Sequence, residues 1–88
     1  MKIEFIGPAL RGEDDGVSFL AKVDGKDVHC LFTYEALEDI DPDSLQDDPL
    51  EQFEAHKLKL LSIAEDKLLR GLAIGHRLTV NTSDLRLD

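Results

Sequence analysis

Asp24-Gly25 constrains this chain more than any other pair of residues. A two-residue hairpin loop of type I′ needs φ > 0 at both central positions, and Asp-Gly meets that demand at low cost. Folding the chain back there pairs Val23 with Lys26, Ala21 with Val28, Phe19 with Cys30 and Val17 with Phe32. One face of the hairpin then collects Val17, Phe19, Ala21, Val23, Val28, Cys30 and Phe32. The other collects Ser18, Leu20, Lys22, Asp27, His29 and Leu31. A slip of one residue would scatter both rows, so pattern and turn agree on a single register. A ribbon with one apolar face must be covered by another layer.

The covering layer begins at Asp48-Pro49-Leu50-Glu51. Asp48 is an N-cap, Pro49 sits at N1 where its missing N–H costs nothing, and Glu51 stands at the capping-box position. From there the spacing predicts one helix to Arg70, ended by Gly71 at the left-handed C′ position. Its length would be about 33 Å at 1.5 Å per residue. Leu50, Phe53, Leu60, Leu61, Ala64 and Leu68 fall in one stripe. Lys67 and Arg70 lie near its end, where cations suit the helix dipole.

Around these two units the remaining pieces are short. Lys2 to Ile6 alternates and reads as a first strand, ended by Gly7-Pro8. Arg11 to Gly16 is a polar turn. Thr33 caps a short helix, Tyr34 to Ile40, with Leu37 and Ile40 facing inward. Asp41 to Asp47 is an acidic loop, and Arg77 to Asn81 alternates around Leu78 and Val80 as a last strand. The 88 residues suit one domain spanning 1–88. The expected class is α+β. It has a small antiparallel sheet of three or four strands with the hairpin at its centre, packed by one long and one short helix.

Charge narrows the function classes. The net charge is −9, and all of it arises between Tyr34 and Glu54, where nine acidic residues meet no Lys, Arg or His. Nucleic acids and anionic lipids need a basic face, since phosphate neutralisation supplies most of that affinity. The charge therefore argues against a nucleic-acid surface built from Lys57, Lys59, Lys67, Arg70 and Arg77. It favours a protein partner with a basic surface. The single cysteine excludes an internal disulfide and fits a reducing compartment. The start, Met1-Lys2-Ile3-Glu4-Phe5, lacks the apolar run of a signal peptide, and no stretch approaches a membrane span. The expectation is a cytoplasmic protein without a membrane association.

Catalytic and metal motifs are incomplete. Asp39, Asp41, Asp43 and Asp47 occupy positions 1, 3, 5 and 9 of a calcium loop, but Ser44 replaces the turn glycine and position 12 is Leu50. A plain acidic loop accounts for them. His29 and Cys30 are neighbours on a strand and point to opposite faces, so they cannot act as base and nucleophile. Cys30 falls on the packed face, where a thiol is inert. His56 and His76 complete no metal-ligand spacing, and Gly71 and Gly75 belong to no phosphate loop. Lys57 is the exception, projecting from the middle of the helix stripe. A charge there must snorkel, pair with a carboxylate or face a cleft.

The string Val17-Ser18-Phe19-Leu20-Ala21-Lys22-Val23-Asp24-Gly25-Lys26-Asp27-Val28-His29-Cys30 resembles the hairpin of a small bacterial family, the domain of unknown function DUF 1488. Glu35-Ala36-Leu37-Glu38-Asp39, Asp48-Pro49-Leu50, Phe53, Lys57 and Lys67 are similar to that family's downstream pattern. The similarity runs from Val17 to Gly71. Lys57 stands where the pattern carries arginine, so no bidentate role is implied there. The resemblance implies an α+β fold in a cytoplasmic bacterial protein and carries no activity.

The expectation that follows is a non-enzymatic protein-interaction or regulatory module, with no cofactor, no bound metal and no catalytic residue. Its oligomeric state is open. The competing expectation is a small-ligand or weak metal site near the long helix. His56, Lys57, Asp41, Asp43, Asp47 and Asp48 are the candidate contacts for either.

Overall fold

The computed structural model describes residues 2–12, 15–40 and 48–86. In chain order these are β1 (Ile3–Arg11), β2 (Val17–Val23), β3 (Lys26–Phe32), α1 (Tyr34–Ile40), α2 (Pro49–Ala55), α3 (Lys57–Leu69), β4 (Arg77–Val80) and a C-terminal 3-10 helix (Thr82–Arg86). The class is α+β, and the four strands form one sheet in the order β1-β2-β3-β4.

The hairpin has the register that its turn demands. Val17 pairs with Phe32, Phe19 with Cys30, Ala21 with Val28 and Val23 with Lys26. Asp24 and Gly25 both take positive φ, 52° and 83°, as a I′ turn requires.

Three expectations are corrected. The sheet is mixed, because β4 runs parallel to β3, with His29 opposite Arg77 and Phe32 opposite Val80. A parallel return needs a crossover longer than a hairpin loop, and the helices between Phe32 and Arg77 supply it. The first strand does not end at Gly7-Pro8 but runs through it to Arg11. The register with β2 shifts between Phe5 and Ala9, so the pair is absorbed in a bulge on an edge strand, where proline is tolerated. Gly7 has φ 73°, and a Cβ there would lie 2.9 Å from the Phe19 ring. Only glycine fits.

The third correction concerns the long helix, which is two. α2 closes on His56, whose N–H donates to the Phe53 carbonyl, and α3 starts from the same residue. A straight helix would carry Lys57 into the centre of the buried stripe, where an ammonium is costly. The break lets Phe53, on one side, and Leu60, Ala64 and Leu68, on the other, all reach the core. Lys57 emerges half-buried, with Nζ 5.3 Å from the centroid of the Phe19 ring. It is held over an aromatic face.

The caps are as the sequence suggests. Thr33 Oγ1 accepts from the Ala36 N–H, and Asp48 Oδ1 accepts from the Leu50 N–H. All three helices lie over one face of the sheet. The core joins Val17, Phe19 and Ala21 of β2, Val28, Cys30 and Phe32 of β3 and Leu78 and Val80 of β4 to Leu37, Phe53, Leu60, Ala64 and Leu68 from above. Phe53 is its hub, with ring centroids 5.6 Å from Phe19 and 5.1 Å from Phe32. Buried Gln52 donates to the Leu37 carbonyl and ties α2 to α1.

Candidate functional site

The opposite face of the sheet has no helix on it among the described residues. Its side chains follow from the register. One row reads Leu10, Ser18, Leu31, Thr79; the next reads Leu20, His29, Arg77; the last reads Glu4, Lys22, Asp27. Leucines thus alternate with polar groups on a surface that the same strands elsewhere fill with core residues. Leu10 is 58% exposed, and Ile6 of β1 is exposed as well. Leucines interspersed with polar groups on an uncovered sheet face make it a candidate contact surface.

Charges on this face are distributed unevenly. At the hairpin-tip end Lys22 Nζ lies 3.9 Å from Asp27, and Lys2 lies 3.4 Å from Glu4, so the signs cancel locally. At the other end Arg77 has no ion-pair partner among the described residues. It borders a shallow recess of about 330 Å³ with Gly12, Ser18, His29 and Leu31. A Cβ on Gly12 would come within 3.0 Å of Leu31 Cδ1, so this corner depends on the missing side chain. Arg77 also borders a groove along the β4 edge with Leu72, Ile74 and Thr79. Ile74 is 85% exposed.

Both sheet edges are closed to a further strand. β1 carries the Gly7-Pro8 bulge, which interrupts pairing. On β4 the backbone of Arg77 exchanges two hydrogen bonds with Ile74. The Thr79 carbonyl accepts from Lys67 Nζ. Lys67 lies in the last turn of α3, where a cation suits the helix dipole. It is buried, and it also pairs with Asp84 Oδ2 at 2.8 Å, the two side chains being 10% and 15% exposed. Burial pushes the Asp84 carboxyl up, but the Asn81 N–H and the Lys67 ammonium outweigh it, and its pKa lies below the ordinary value. This pair fastens the C-terminal 3-10 helix to α3 and β4.

Of the sequence-derived candidates, His56, Lys57 and Asp48 lie among the described residues. Asp48 is spent as the α2 cap, and Arg11 Nη2 lies 3.8 Å from it. Lys57 rests over Phe19, and His56 joins the two helices. Asp41, Asp43 and Asp47 lie outside the described residues, while Asp39 is exposed at the end of α1. Among the described residues no group of three His, Cys, Asp or Glu is placed to hold a metal ion. Cys30 is fully buried, and burial pushes its thiol up to about 11, which leaves it protonated and a poor nucleophile at neutral pH. No helix among the described residues is long and apolar enough to cross a membrane.

Comparison with known proteins matches residues 3–74 to the model of a protein family of unknown function, DUF1488. The chain belongs to the DUF1488 family. The crystal structure of a DUF1488 protein of unknown function from Shewanella loihica PV-4 is similar, with a TM-score of 0.78 at 17% identity. The match covers 91% of this chain and 94% of that one. That likeness shows that the fold tolerates wide divergence in sequence. No curated protein matches.

The recess at Arg77 was not visible in the sequence as a unit. His29 and Arg77 are neighbours only because β4 joins β3 in parallel, and no local turn announces that pairing.

Proposed function

We propose that this DUF1488 chain is a non-enzymatic protein-interaction module of regulatory type, which meets its partner with the uncovered face of its sheet. The observation that carries this reading is the contrast within single strands. Side chains pointing one way are buried under three helices, whereas those pointing the other way leave leucines and polar groups at the surface. Closed edges favour contact through side chains over strand addition. The inert thiol supports a module without chemistry of its own, and a lone reduced cysteine is in keeping with action in the cytoplasm.

The acidic segment gives the partner a second property. Between Tyr34 and Glu54 lies all the net charge, and Glu35, Asp39, Glu51 and Glu54 of that segment are exposed. A partner with a basic surface would be steered toward it, over a screening length of about 8 Å at physiological salt.

Affinity capture from the native cell followed by hydrogen-exchange mapping tests the reading. Protection is expected at Leu20, His29, Leu31 and Arg77. Replacing Asp41, Asp43, Asp47 and Asp48 by Asn should slow association and leave dissociation nearly unchanged in surface plasmon resonance at two salt concentrations. Asn at position 48 keeps a competent N-cap. Protection confined to the helical layer would overturn the reading.

A further inference from the structure

We infer that the recess at Arg77 is the anchor point for one carboxylate side chain of the partner, carried on an apolar stretch of a protein. This rests on the interaction reading above and adds the chemistry of what is recognised.

Three donors of different kinds meet there. Arg77 offers a planar guanidinium, which grips carboxylates through two parallel N–H bonds. Its side chain is exposed and has no acidic neighbour among the described residues to satisfy it. His29 lies directly opposite Arg77 in the β3–β4 register, and Ser18 places a hydroxyl in the same recess. Leu31 forms a wall, and the lack of a side chain at Gly12 keeps the corner open. Elsewhere on this face cations have anions beside them: Lys22 has Asp27, and Lys2 has Glu4. Among the described residues of this face, Arg77 is a cation with no anion paired to it.

The apolar rim says what kind of molecule brings the carboxylate. Leu10 flanks the recess on the β1 side, and Leu72 and Ile74 flank Arg77 on the β4 side. A small free anion would leave those side chains in water. A peptide with hydrophobic residues on either side of Glu or Asp would cover them. Nucleic acid and anionic membranes are disfavoured by the long-range field of a chain with net charge −9. A partner with a basic surface is attracted by that field as a whole and can still present one carboxylate to the recess. Opposite charges at two separated places, the acidic segment and the recess, would also fix the partner's orientation.

The test uses the intact ¹⁵N-labelled chain and a capped peptide with a central Glu flanked by leucines, its Gln counterpart, and inorganic phosphate. The amides of Ser18, His29, Leu31 and Arg77 are expected to shift saturably with the Glu peptide. The Gln peptide should bind about tenfold more weakly, the scale expected for losing one charge-assisted hydrogen-bonded pair. Arg77→Gln should reproduce that loss for the Glu peptide with an unchanged melting temperature. Arg77→Lys, which keeps charge without the fork, should lie between. Equal binding of the Glu and Gln peptides, or no shifts on this face, would overturn the inference. That comparison needs no variant to fold. Tighter binding of phosphate than of peptide would overturn it in favour of a small-anion site. Should the peptides fail while a captured partner still protects the open face, the carboxylate anchor falls and the interaction reading stands. Peptide binding at the recess, with the captured partner protecting only the helical layer, would leave a carboxylate-binding recess but overturn both the interaction reading and the assignment of that carboxylate to the partner.

Discussion

The two faces of the β2–β3 hairpin are built from alternate residues of the same strands, and they have opposite fates. Toward the helices, Val17, Ala21, Cys30 and Phe32 are fully buried. Away from them, Lys22, Asp27 and His29 are exposed, and Leu20 and Leu31 are half-covered by neighbours in the sheet. The difference begins in the alternation of the strand residues and is completed by where the chain goes afterwards, because the described helices between β3 and β4 lie on the apolar side. The covered face should therefore govern stability, and the open face should be free to serve binding. Each prediction below tests that division.

The largest effect belongs to Phe53. Its ring sits between Phe19 and Phe32 with no exposure, and it is the element of α2 that reaches the sheet. Phe53→Ala removes the ring and leaves a cavity that rigid strands cannot fill. The expected loss is about 4 kcal/mol in denaturant unfolding. A loss below about 1 kcal/mol would mean that α2 contributes little to the covered face and that the division between faces is weaker than it looks.

Next comes the pair that seals the border between the faces. Lys67→Met keeps an apolar stem of similar length but leaves Asp84 and the Thr79 carbonyl without the ammonium. Removing one partner of a buried pair costs about 3 kcal/mol. The pH dependence has a definite sign. The Asp84 carboxyl has a lowered pKa in the fold, so its pairing stabilises above the unfolded value of about 3.9 and is lost as pH falls through the folded value. In the variant the lone carboxylate is relieved by protonation. The gap in stability between wild type and Lys67→Met should accordingly narrow in acid, as followed by thermal melts from pH 7 to about pH 2. A constant gap would assign the loss to the Thr79 carbonyl alone.

How much of this was legible beforehand depends on range. The Asp24-Gly25 turn fixes its register through neighbours in sequence, and the alternation of Val17 to Phe32 repeats the same information. Thr33 and Asp48 announce their helices in the same local way. The direction of β4 is a matter of long-range return, and Arg77 to Val80 carries no mark of it. The break at His56 escaped because the apolar stripe is continuous across it. Lys57, which looked misplaced in that stripe, was the signal. Pro8 looked like a strand end, since a proline cannot donate to a ladder, yet at the edge no ladder bond is needed there. Lys67 and Asp84 meet only when the C-terminal turn folds back. Of the candidate contacts, Lys57 rests over Phe19 and Asp48 caps α2, while in the sequence Arg77 is only one of five basic residues and the start of a last strand.

The smallest expected effect is also the sharpest test of the open face. Leu10 is more than half exposed and sits in the row with Ser18, Leu31 and Thr79. If nothing covers that row, Leu10→Ser removes little buried surface, and stability should change by no more than about 0.5 kcal/mol. Two other arrangements give different outcomes. Were the chain to bury this face against another copy of itself, unfolding would depend on protein concentration, and the serine would remove that dependence. Were part of the same chain to fold over the face, the cost would be larger and independent of concentration. Measuring the unfolding midpoint of wild type and Leu10→Ser at micromolar and at submillimolar concentration separates the three cases. A small change at both concentrations leaves the face uncovered in the isolated protein. Only then does a loss of partner binding by the same variant report a contact rather than a weakened fold.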